Sequence, residues 1–435
     1  MHYDAFMADV TLQALLQGSW RDVALLEFPK PELGTEGPCY FEYEFDHVSE
    51  WLGRDTPLAQ ASVRLPLVLV PVCTSRWPVF LDDLRPLGGA RSWWQRKLGL
   101  TGGPPDELRL LREATIAPVG NLRVKEAVPP KDAEPTRFAR SAVVEREHAF
   151  LAYAADRGAQ VGGATGAGGE SPKLLLRVDG RDQVWIDTWQ DDPDCPDHHY
   201  LVKFARGVRS DRDRLILRSE YVYYRALAEL GVETVPVEGM LLEEGASGPS
   251  LWLPRFDVTR RDGREVRLGL ESIYSLLGKG PGSFLTHQAV IDALREVVPR
   301  AELGATLLEY LKRDLLAVVF GNTDNHGRNT ALLKSETSIR LAPVYDFAPM
   351  KLDPEGIIRT TRWEKFEKGD IDWAALLRSF GSDEDFLRAG LRELAARLRH
   401  LPELLASLGL PDETLHFPAL DLFGTERKLR GWGLL

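Results

Sequence analysis

The stretch that decides the fold is residues 315–350, LLAVVFGNTDNHGRNTALLKSETSIRLAPVYDFAPM. An apolar run ends abruptly at Gly321, and the polar segment that follows contains Asp324 and Asn329. Two short, strand-like apolar runs come next, and the second ends in Asp346. Carboxylate and amide oxygens are the ligands that a hard cation such as Mg²⁺ prefers. The stretch therefore predicts a polar site held at the ends of apolar elements.

The order of these polar residues is that of a kinase catalytic loop. In such loops a catalytic Asp is followed by an Asn that helps to hold metal, and a second metal-binding Asp comes after a hairpin. Asp324, Asn329 and Asp346 follow this order, and the first two are five residues apart. Taken singly, each could equally form a turn or a cap, because Asp and Asn are common at turns.

A glycine-rich segment upstream is a candidate for phosphate binding. Residues 161–178, VGGATGAGGESPKLLLRV, include Gly168 and Gly169 and lead to Lys173 at the start of a predicted strand. Backbone amides without side chains can approach phosphate oxygens closely, and a lysine adds charge. The Gly-Lys-Ser/Thr sequence of a Walker A loop is missing. A flexible surface loop remains an alternative interpretation.

A lysine in a predicted strand and a glutamate in the next predicted helix form a second candidate pair. Lys203 lies in the apolar run at residues 200–204, which is predicted to pair with residues 182–187, and Glu220 lies at the predicted start of a helix. Kinases use such a pair to hold the lysine that contacts phosphate, although a plain surface ion pair is the alternative. Residues 250–256, SLWLPRF, predict a strand that ends where a kinase has its adenine-binding hinge.

Composition excludes several classes of protein. The 54 basic and 65 acidic residues leave a net charge of −11, which argues against a broad nonspecific nucleic-acid surface. Cys39, Cys73 and Cys195 are scattered, which indicates a reducing compartment and no disulfide framework. The N-terminus has no signal-peptide pattern, and the longest apolar run is too short to span a bilayer. We expect a cytoplasmic protein without membrane association.

Hydrophobic periodicity predicts an α+β protein of several domains. At 435 residues the chain is long for one core. Strand-like patterns dominate before residue 258, and helical patterns dominate from residue 270 onward. We predict a bilobed, kinase-like fold with an N-terminal subdomain at residues 1–137, a β-rich ATP-binding lobe at 138–257 and an all-helical catalytic lobe at 258–435.

Together these segments resemble the HipA-like serine/threonine kinases of bacterial type II toxin–antitoxin modules. Residues 322–329, NTDNHGRN, are similar to the family's N-x-D-x-H-x-x-N catalytic loop, and residues 341–346, LAPVYD, are similar to its L-x-P-x-Y-D metal segment. Residues 168–173 resemble its glycine-rich element and residues 255–257 its hinge. Residues 80–91 are similar to part of the family's N-terminal subdomain.

The resemblance implies roles for named residues, with ATP and Mg²⁺ as cofactors. Asp324 would be the catalytic residue that accepts the proton of the substrate hydroxyl, and His326 would lie near the nucleotide. Asn329 and Asp346 would hold the metal. The residues implied in ATP binding are Lys173, Lys203, Glu220, Arg255, Phe256, Asp257, Gly168 and Gly169.

The resemblance also implies partners. These are a protein substrate, by family analogy an aminoacyl-tRNA synthetase, and a helix-turn-helix antitoxin of the HipB type through which alone DNA would be contacted. Gly166 stands where family members often carry an autophosphorylated serine, so a phosphorylated residue would be Thr165, Ser171 or none. Two alternatives remain open: a catalytically weak corepressor or binding protein, and a small-molecule phosphotransferase on a kinase-like fold.

Overall fold

The computed structural model describes residues 8–116, 119–128, 136–156, 173–187, 192–205 and 210–435. The chain forms two compact units, each assembled from separate segments. The first unit comprises Met1–Val202, Arg255–Pro281 and Ala331–Ile339, and the second comprises Lys203–Pro254, Gly282–Thr330 and Arg340–Leu435. The domain limits at residues 137 and 257 remain a prediction.

Strands occur along most of the described chain. In order they are β1 (Ala8–Leu16), β2 (Ser19–Phe28), β3 (Cys39–Tyr43), β4 (Val72–Thr74), β5 (Leu122–Val124), β6 (Phe138–Ala139), β7 (Lys173–Val178), β8 (Gln183–Ile186), β9 (His198–Phe204), β10 (Leu241–Gly245), β11 (Gly248–Pro254), β12 (Val258–Arg261), β13 (Arg264–Arg267), β14 (Gly269–Ser272), β15 (Leu285–Thr286), β16 (Ala331–Lys334), β17 (Ile339–Leu341), β18 (Thr361–Arg362), β19 (Glu367–Lys368) and β20 (Asp370–Ile371).

Helices are concentrated in the C-terminal half. In order they are α1 (Phe45–Trp51), α2 (Gly88–Leu98), α3 (Asp106–Ala114), α4 (Arg140–Val144), α5 (His148–Asp156), α6 (Asp211–Glu229), α7 (Ile273–Leu277), α8 (His287–Val297), α9 (Arg300–Phe320), α10 (Trp373–Arg378), α11 (Glu384–Leu398), α12 (Leu401–Ser407), α13 (Asp412–Leu415) and α14 (Thr425–Gly431).

An antiparallel sheet in the order β4-β3-β2-β1-β5 forms the N-terminal part of the first unit. Strands β1 and β2 are joined by Gln17 and Gly18, whose φ angles of 52° and 76° suit a tight hairpin turn. In β3, Cys39, Phe41 and Tyr43 are buried while the residues between them are exposed. The alternating pattern therefore places one face of this sheet on a core.

Strands of the second sheet in the first unit lie in the order β9-β7-β8-β6. The predicted pairing of residues 182–187 with residues 200–204 is therefore wrong. A tight turn joins β7 to β8, in which the Asp179 carboxylate accepts hydrogen bonds from the amides of Arg181 and Gln183. The other edge of β8 is taken by β6, so β9 adds to the free edge of β7.

Helix α6 of the second unit begins at Asp211, eight residues before Ser219, where the sequence predicted its start. Ser210 caps it, because its hydroxyl accepts from the amide of Asp213, and the Asp213 carboxylate accepts from the amide of Ser210. This capping box starts the helix within a charged segment that lacks apolar periodicity. Glu220 consequently lies in the middle of the helix, where its backbone is held on both sides.

The fold class is α+β, as predicted. Residues 258–435, expected to be all helical, also contain the short strands β12 to β20. One of them, β14, occupies the first residues of the segment from 270 where helix was expected, and it pairs antiparallel with β16. Leu270 and Leu333 are opposite one another in this pair and both are buried, so pairing with a distant strand overrides the local helical pattern.

In the portion of the chain that the structure describes, we find no helix with the length and apolar character needed to cross a membrane.

Candidate active site

Helix α9 ends at Gly321, and the polar segment begins there. Gly321 has a φ of 70°, the left-handed conformation that commonly ends helices. A Cβ at this position would lie 2.3 Å from the side chain of Leu420, so a larger residue would require that neighbour to move. The inner face of α9, including Leu315 and Val319, is fully buried. The polar segment therefore starts from a rigid, well-packed support.

The segment from Asn322 to Asn329 is held by its own hydrogen bonds. The amide of Asp324 donates to Oδ1 of Asn322 at 3.1 Å, and Nδ2 of Asn329 donates to the carbonyl oxygen of Asp324 at 2.8 Å. The amide of Arg328 donates to Nδ1 of His326, which leaves the imidazole proton on Nε2. Nε2 lies 3.5 Å from the Asp324 carboxylate. The predicted catalytic pair, Asp324 and His326, thus lie side by side.

Lys203 brings together two of the predicted site residues, Glu220 and Asp346. Its ammonium group lies 2.5 Å from Oε1 of Glu220 and also contacts the Asp346 carboxylate. Lys203 and Glu220 are both only 4% exposed, which rules out a plain surface pair. Burial alone would lower the pKa of Lys203, but the charges of Asp346 and Glu220 raise it above its ordinary value. The lysine is therefore a charged group at physiological pH.

A buried tyrosine supports this triad. The hydroxyl of Tyr224 donates to Oε1 of Glu220 at 2.8 Å and accepts from the amide of Phe347 at 3.3 Å. Burial raises the pKa of Tyr224 well above its ordinary value, so the hydroxyl keeps its proton. Tyr224 connects the helix that carries Glu220 to the segment that carries Asp346. Sequence reasoning missed it, although it lies one helical turn after Glu220.

A hydrogen bond connects the segment around Asp346 to the predicted catalytic loop. The hydroxyl of Tyr345 donates to the carbonyl oxygen of Arg328 at 2.5 Å. Asp346 itself has a φ of 53°, a left-handed conformation that is uncommon for residues other than glycine. Such backbone conformations occur at functional sites where the surrounding structure enforces them. Here the contact with Lys203 and the Tyr345 hydrogen bond hold it on both sides.

The predicted metal residues carry oxygen atoms of the kind that Mg²⁺ prefers. Among the described residues, Oδ1 of Asn329 is buried and has no hydrogen-bond partner, which leaves it available to a cation. The described part of the chain contains no group of three or more His, Cys, Asp or Glu side chains suited to a metal. Mg²⁺ is commonly held by one or two protein ligands together with substrate phosphates and water. Asn329 and Asp346 would be the two protein ligands in such a site.

The remaining predicted nucleotide residues belong to the first unit. Lys173 begins β7 and is buried. Arg255 donates through Nε to Asp257 at 3.0 Å and through Nη1 to Asp187 at 2.8 Å, and Asp257 accepts from the amide of Gly120. These side chains are thus held by protein partners, so contacts of this segment with a nucleotide would fall to its backbone and to Phe256. Gly168 and Gly169 lie outside the described residues.

Sequence reasoning also missed a buried ion cluster in the first unit. Asp187 accepts from Arg177 at 2.7 Å and lies 2.9 Å from Nδ1 of His199. Burial opposes ionisation, but Arg177, His199 and Arg267 hold the pKa of Asp187 well below its usual range. Desolvation is likewise outweighed at Glu265, whose pKa falls to about 2 because of His199 and the arginines. The sequence signal that could have identified this cluster is the presence of charged residues within apolar strands.

Asn325, the residue after Asp324, attaches the predicted catalytic loop to a neighbouring segment. Nδ2 of Asn325 donates to the carbonyl oxygen of Thr361 at 2.7 Å, and Oδ1 accepts from the amides of Thr360 and Thr361. The Thr361 hydroxyl donates back to the carbonyl oxygen of Asn325 at 2.8 Å. The segment that contains β18 is therefore fixed relative to the predicted catalytic residue.

A buried polar network supports this segment from behind. Asp314 on α9 accepts from Arg359 at 2.7 Å and from the indole of Trp363 at 2.8 Å. Trp363 stacks on His287 with ring centroids 4.5 Å apart, and Nδ1 of His287 lies 2.8 Å from the hydroxyl of Tyr310. Burial lowers the pKa of His287 to about 4, although Asp314 opposes the shift. His287 is therefore neutral in the native protein at neutral pH.

The low pKa of His287 predicts acid sensitivity. Between pH 6.5 and about 4 the unfolded chain protonates this histidine while the folded chain does not, so stability is present above pH 6.5 and falls as the pH drops. The loss attributable to His287 reaches about 3 kcal/mol. Denaturant unfolding at several pH values should show a flatter dependence for His287→Gln than for the parent. Equal slopes over this range would contradict the prediction.

A sequence model described as the HipA-like C-terminal domain matches residues 165–401, more than half of the chain. The chain belongs to the HipA-like family. It is 24% identical over 370 residues, 80% of this chain and 83% of the other, to a protein of Sinorhizobium fredii (strain NBRC 101917 / NGR234) named "Putative kinase Y4mE".

The fold is similar to that of HipA from Shewanella oneidensis MR-1, solved in a complex with HipB and its operator DNA. The likeness covers 97% of each chain with a TM-score of 0.65 and 16% sequence identity. The recognition of a HipA-like chain is confirmed by the family match, and the Sinorhizobium relative is named a putative kinase. The roles of the individual site residues stay predictions.

Proposed function

We propose that this protein is an ATP- and Mg²⁺-dependent serine/threonine protein kinase and the toxin of a HipBA-like toxin–antitoxin module. One observation carries the proposal. Lys203 is buried between Glu220 and Asp346, in the same unit as Asp324 and Asn329. Burying a lysine among carboxylates carries a desolvation cost, so such a group is a candidate for a functional role. Kinases pair a strand lysine with a helix glutamate to hold the lysine that contacts phosphate, and Lys203 and Glu220 form such a pair.

The chain's own residues suggest how transfer would proceed. Asp324 would accept a hydrogen bond from the acceptor hydroxyl, orient it and take its proton. The Nε2 proton of His326 faces the Asp324 carboxylate and would help to hold it in place. Lys203 would contact phosphate oxygens, positioned by Glu220 and Tyr224. Mg²⁺, when held by Asn329 and Asp346, would neutralise charge on the phosphates.

The partners belong to the same proposal. The substrate would be a translation-related protein such as an aminoacyl-tRNA synthetase. An antitoxin of the HipB type would bind the kinase, and the antitoxin alone would contact DNA. The complex of Shewanella HipA with HipB and its operator DNA supports this part of the proposal. The site of action would be the cytoplasm. Autophosphorylation at Thr165 or Ser171, or its absence, concerns positions outside the described residues.

A labelling experiment tests the proposal. The purified protein is incubated with a bacterial lysate, Mg²⁺ and ATP labelled at either the γ- or the α-phosphate. We expect label from the γ-phosphate alone, on Ser or Thr of a lysate protein, and no transfer when the metal is chelated. Transfer from the α-phosphate would indicate nucleotidyl transfer instead, and label on small molecules alone would indicate a small-molecule phosphotransferase. No transfer at all would support the corepressor alternative.

A further inference from the structure

The segment that Asn325 attaches to the catalytic loop has its own exposed surface. Strand β18 pairs in parallel with β15, so that Leu285 lies opposite Thr361. The amide of Leu285 donates to the carbonyl oxygen of Thr360 at 2.9 Å. The chain on both sides of this strand pair is therefore fixed relative to Asp324, the residue next to Asn325. We call β15, β18 and their flanking residues 284–292 and 358–366 the acceptor platform.

Two large apolar side chains of the platform are exposed. Phe284, directly before β15, is 69% exposed, and Ile358, three residues before β18, is 57% exposed. At these exposures neither side chain is part of a core. Arg359, next to Ile358, and Trp363 of the same segment are held by hydrogen bonds to Asp314. Because β15 and β18 are parallel, Phe284 and Ile358 both lie at the end where the two strands begin. Exposed apolar groups that lie close together are typical of a surface that binds a partner.

A cleft opens on the same platform. Its volume is about 440 Å³, and its lining includes Thr286, Gln288, Asp292, Lys365 and Phe366. This volume lies in the lower part of the range of clefts that bind small ligands, which is enough for a short part of a peptide. Hydroxyl, amide and charged groups in the lining can bond a peptide backbone, and the aromatic ring offers an apolar wall.

We propose that the acceptor platform binds the segment of the protein substrate that carries the phosphorylated Ser or Thr. The inference rests on the proposed kinase function. An acceptor hydroxyl must reach Asp324, so the residues that flank it must lie against whatever surrounds Asp324. Asn325, the residue after Asp324, is hydrogen-bonded to Thr360 and Thr361 of the acceptor platform. An extended peptide with a large apolar residue near its acceptor fits Phe284 and Ile358, while its backbone fits the polar cleft.

The test uses peptide libraries with a central Ser or Thr and randomised flanking positions, together with labelled ATP. We expect the parent to select a large apolar residue at a flanking position. The double variant Phe284→Ser/Ile358→Ser should lose this selection, and its KM for the selected peptide should rise about tenfold, since apolar contact area is removed, without a matching change in the KM for ATP. Phe423→Ser is the matched control, because Phe423 lies in the same unit and is 62% exposed. It should behave as the parent.

The outcomes separate the two proposals. An active parent whose flanking selection and peptide KM are unchanged in the double variant would overturn the platform and leave the kinase function standing. An equal rise in KM for the Phe423→Ser control would overturn it too, because the effect would not be specific to this surface. A parent that transfers phosphate to no peptide and to no lysate protein would overturn both proposals.

Discussion

Replacement of Asp324 by alanine is expected to reduce phosphoryl transfer to a protein acceptor by about a thousandfold, the range expected when a general base is removed. The fold should survive. The side chain of Asp324 is 20% exposed, and the hydrogen bonds that shape the loop involve its backbone amide and carbonyl oxygen, which alanine retains. Initial rates with ATP labelled at the γ-phosphate measure the first effect, and circular dichroism with thermal unfolding measures the second.

Two further variants make the Asp324 prediction specific. Asp324→Asn keeps the size of the side chain but loses most of its basicity, so it should be nearly as inactive as Asp324→Ala. Glu403→Ala removes an exposed carboxylate on α12 and should match the parent. In cells, overexpression of the parent should inhibit growth and overexpression of Asp324→Ala should not. A variant as toxic and as active as the parent would refute the catalytic role of Asp324.

Replacement of Lys203 by alanine is expected to act on both nucleotide binding and stability. Without the ammonium group, ATP affinity should fall about tenfold or more, as is common when a charge-assisted contact to phosphate is lost. Glu220 and Asp346 would also be left facing one another in a buried site. Removal of one partner from a buried ion pair costs about 3–5 kcal/mol of folding free energy. Titration calorimetry with an ATP analogue and chemical denaturation measure the two effects.

Lys334 provides a matched control for this experiment. It is buried like Lys203, and its ammonium group donates to the carbonyl oxygen of Gln60 at 2.9 Å and lies 3.5 Å from Glu271. Lys334→Ala should therefore also destabilise the protein, but it should retain ATP affinity under conditions where it is folded. If Lys203→Ala binds ATP as tightly as the parent, Lys203 is not part of the phosphate site. If both variants lose ATP binding equally, the effect is one of stability.

The segment at residues 315–350 was predictable because its signal is local. An apolar helix that ends in glycine, an Asp and an Asn five residues apart, and an Asp after two short strands are all visible within one stretch. In the structure a helix ends at Gly321, where the apolar run stops, and the side chain of Asn329 donates a hydrogen bond to the carbonyl oxygen of Asp324. Short spacings of this kind leave few geometries open, because a chain of a few residues can reach only nearby positions.

Element boundaries were less predictable where side chains rather than apolar periodicity decide them. The capping box at Ser210 and Asp213 begins α6 within a charged stretch. The segment from residue 270 has a helical pattern, yet its first residues pair as β14 with β16, more than sixty residues away, because both strands bury apolar side chains in that arrangement. Propensity is a weak guide wherever tertiary packing favours another state.

By itself the sequence determined the α+β class, the family and the identity of the polar residues in the loop, because these depend on composition and short spacings. Only the tertiary structure decided which charges meet. Lys203 contacts Asp346 across 143 residues of chain, and Asn325 holds Thr361 across 36. The same holds for the ion cluster around Asp187. A charged side chain in a strand must have a partner if it is buried, but which partner it has depends on the packing of whole elements. No local pattern contains that information.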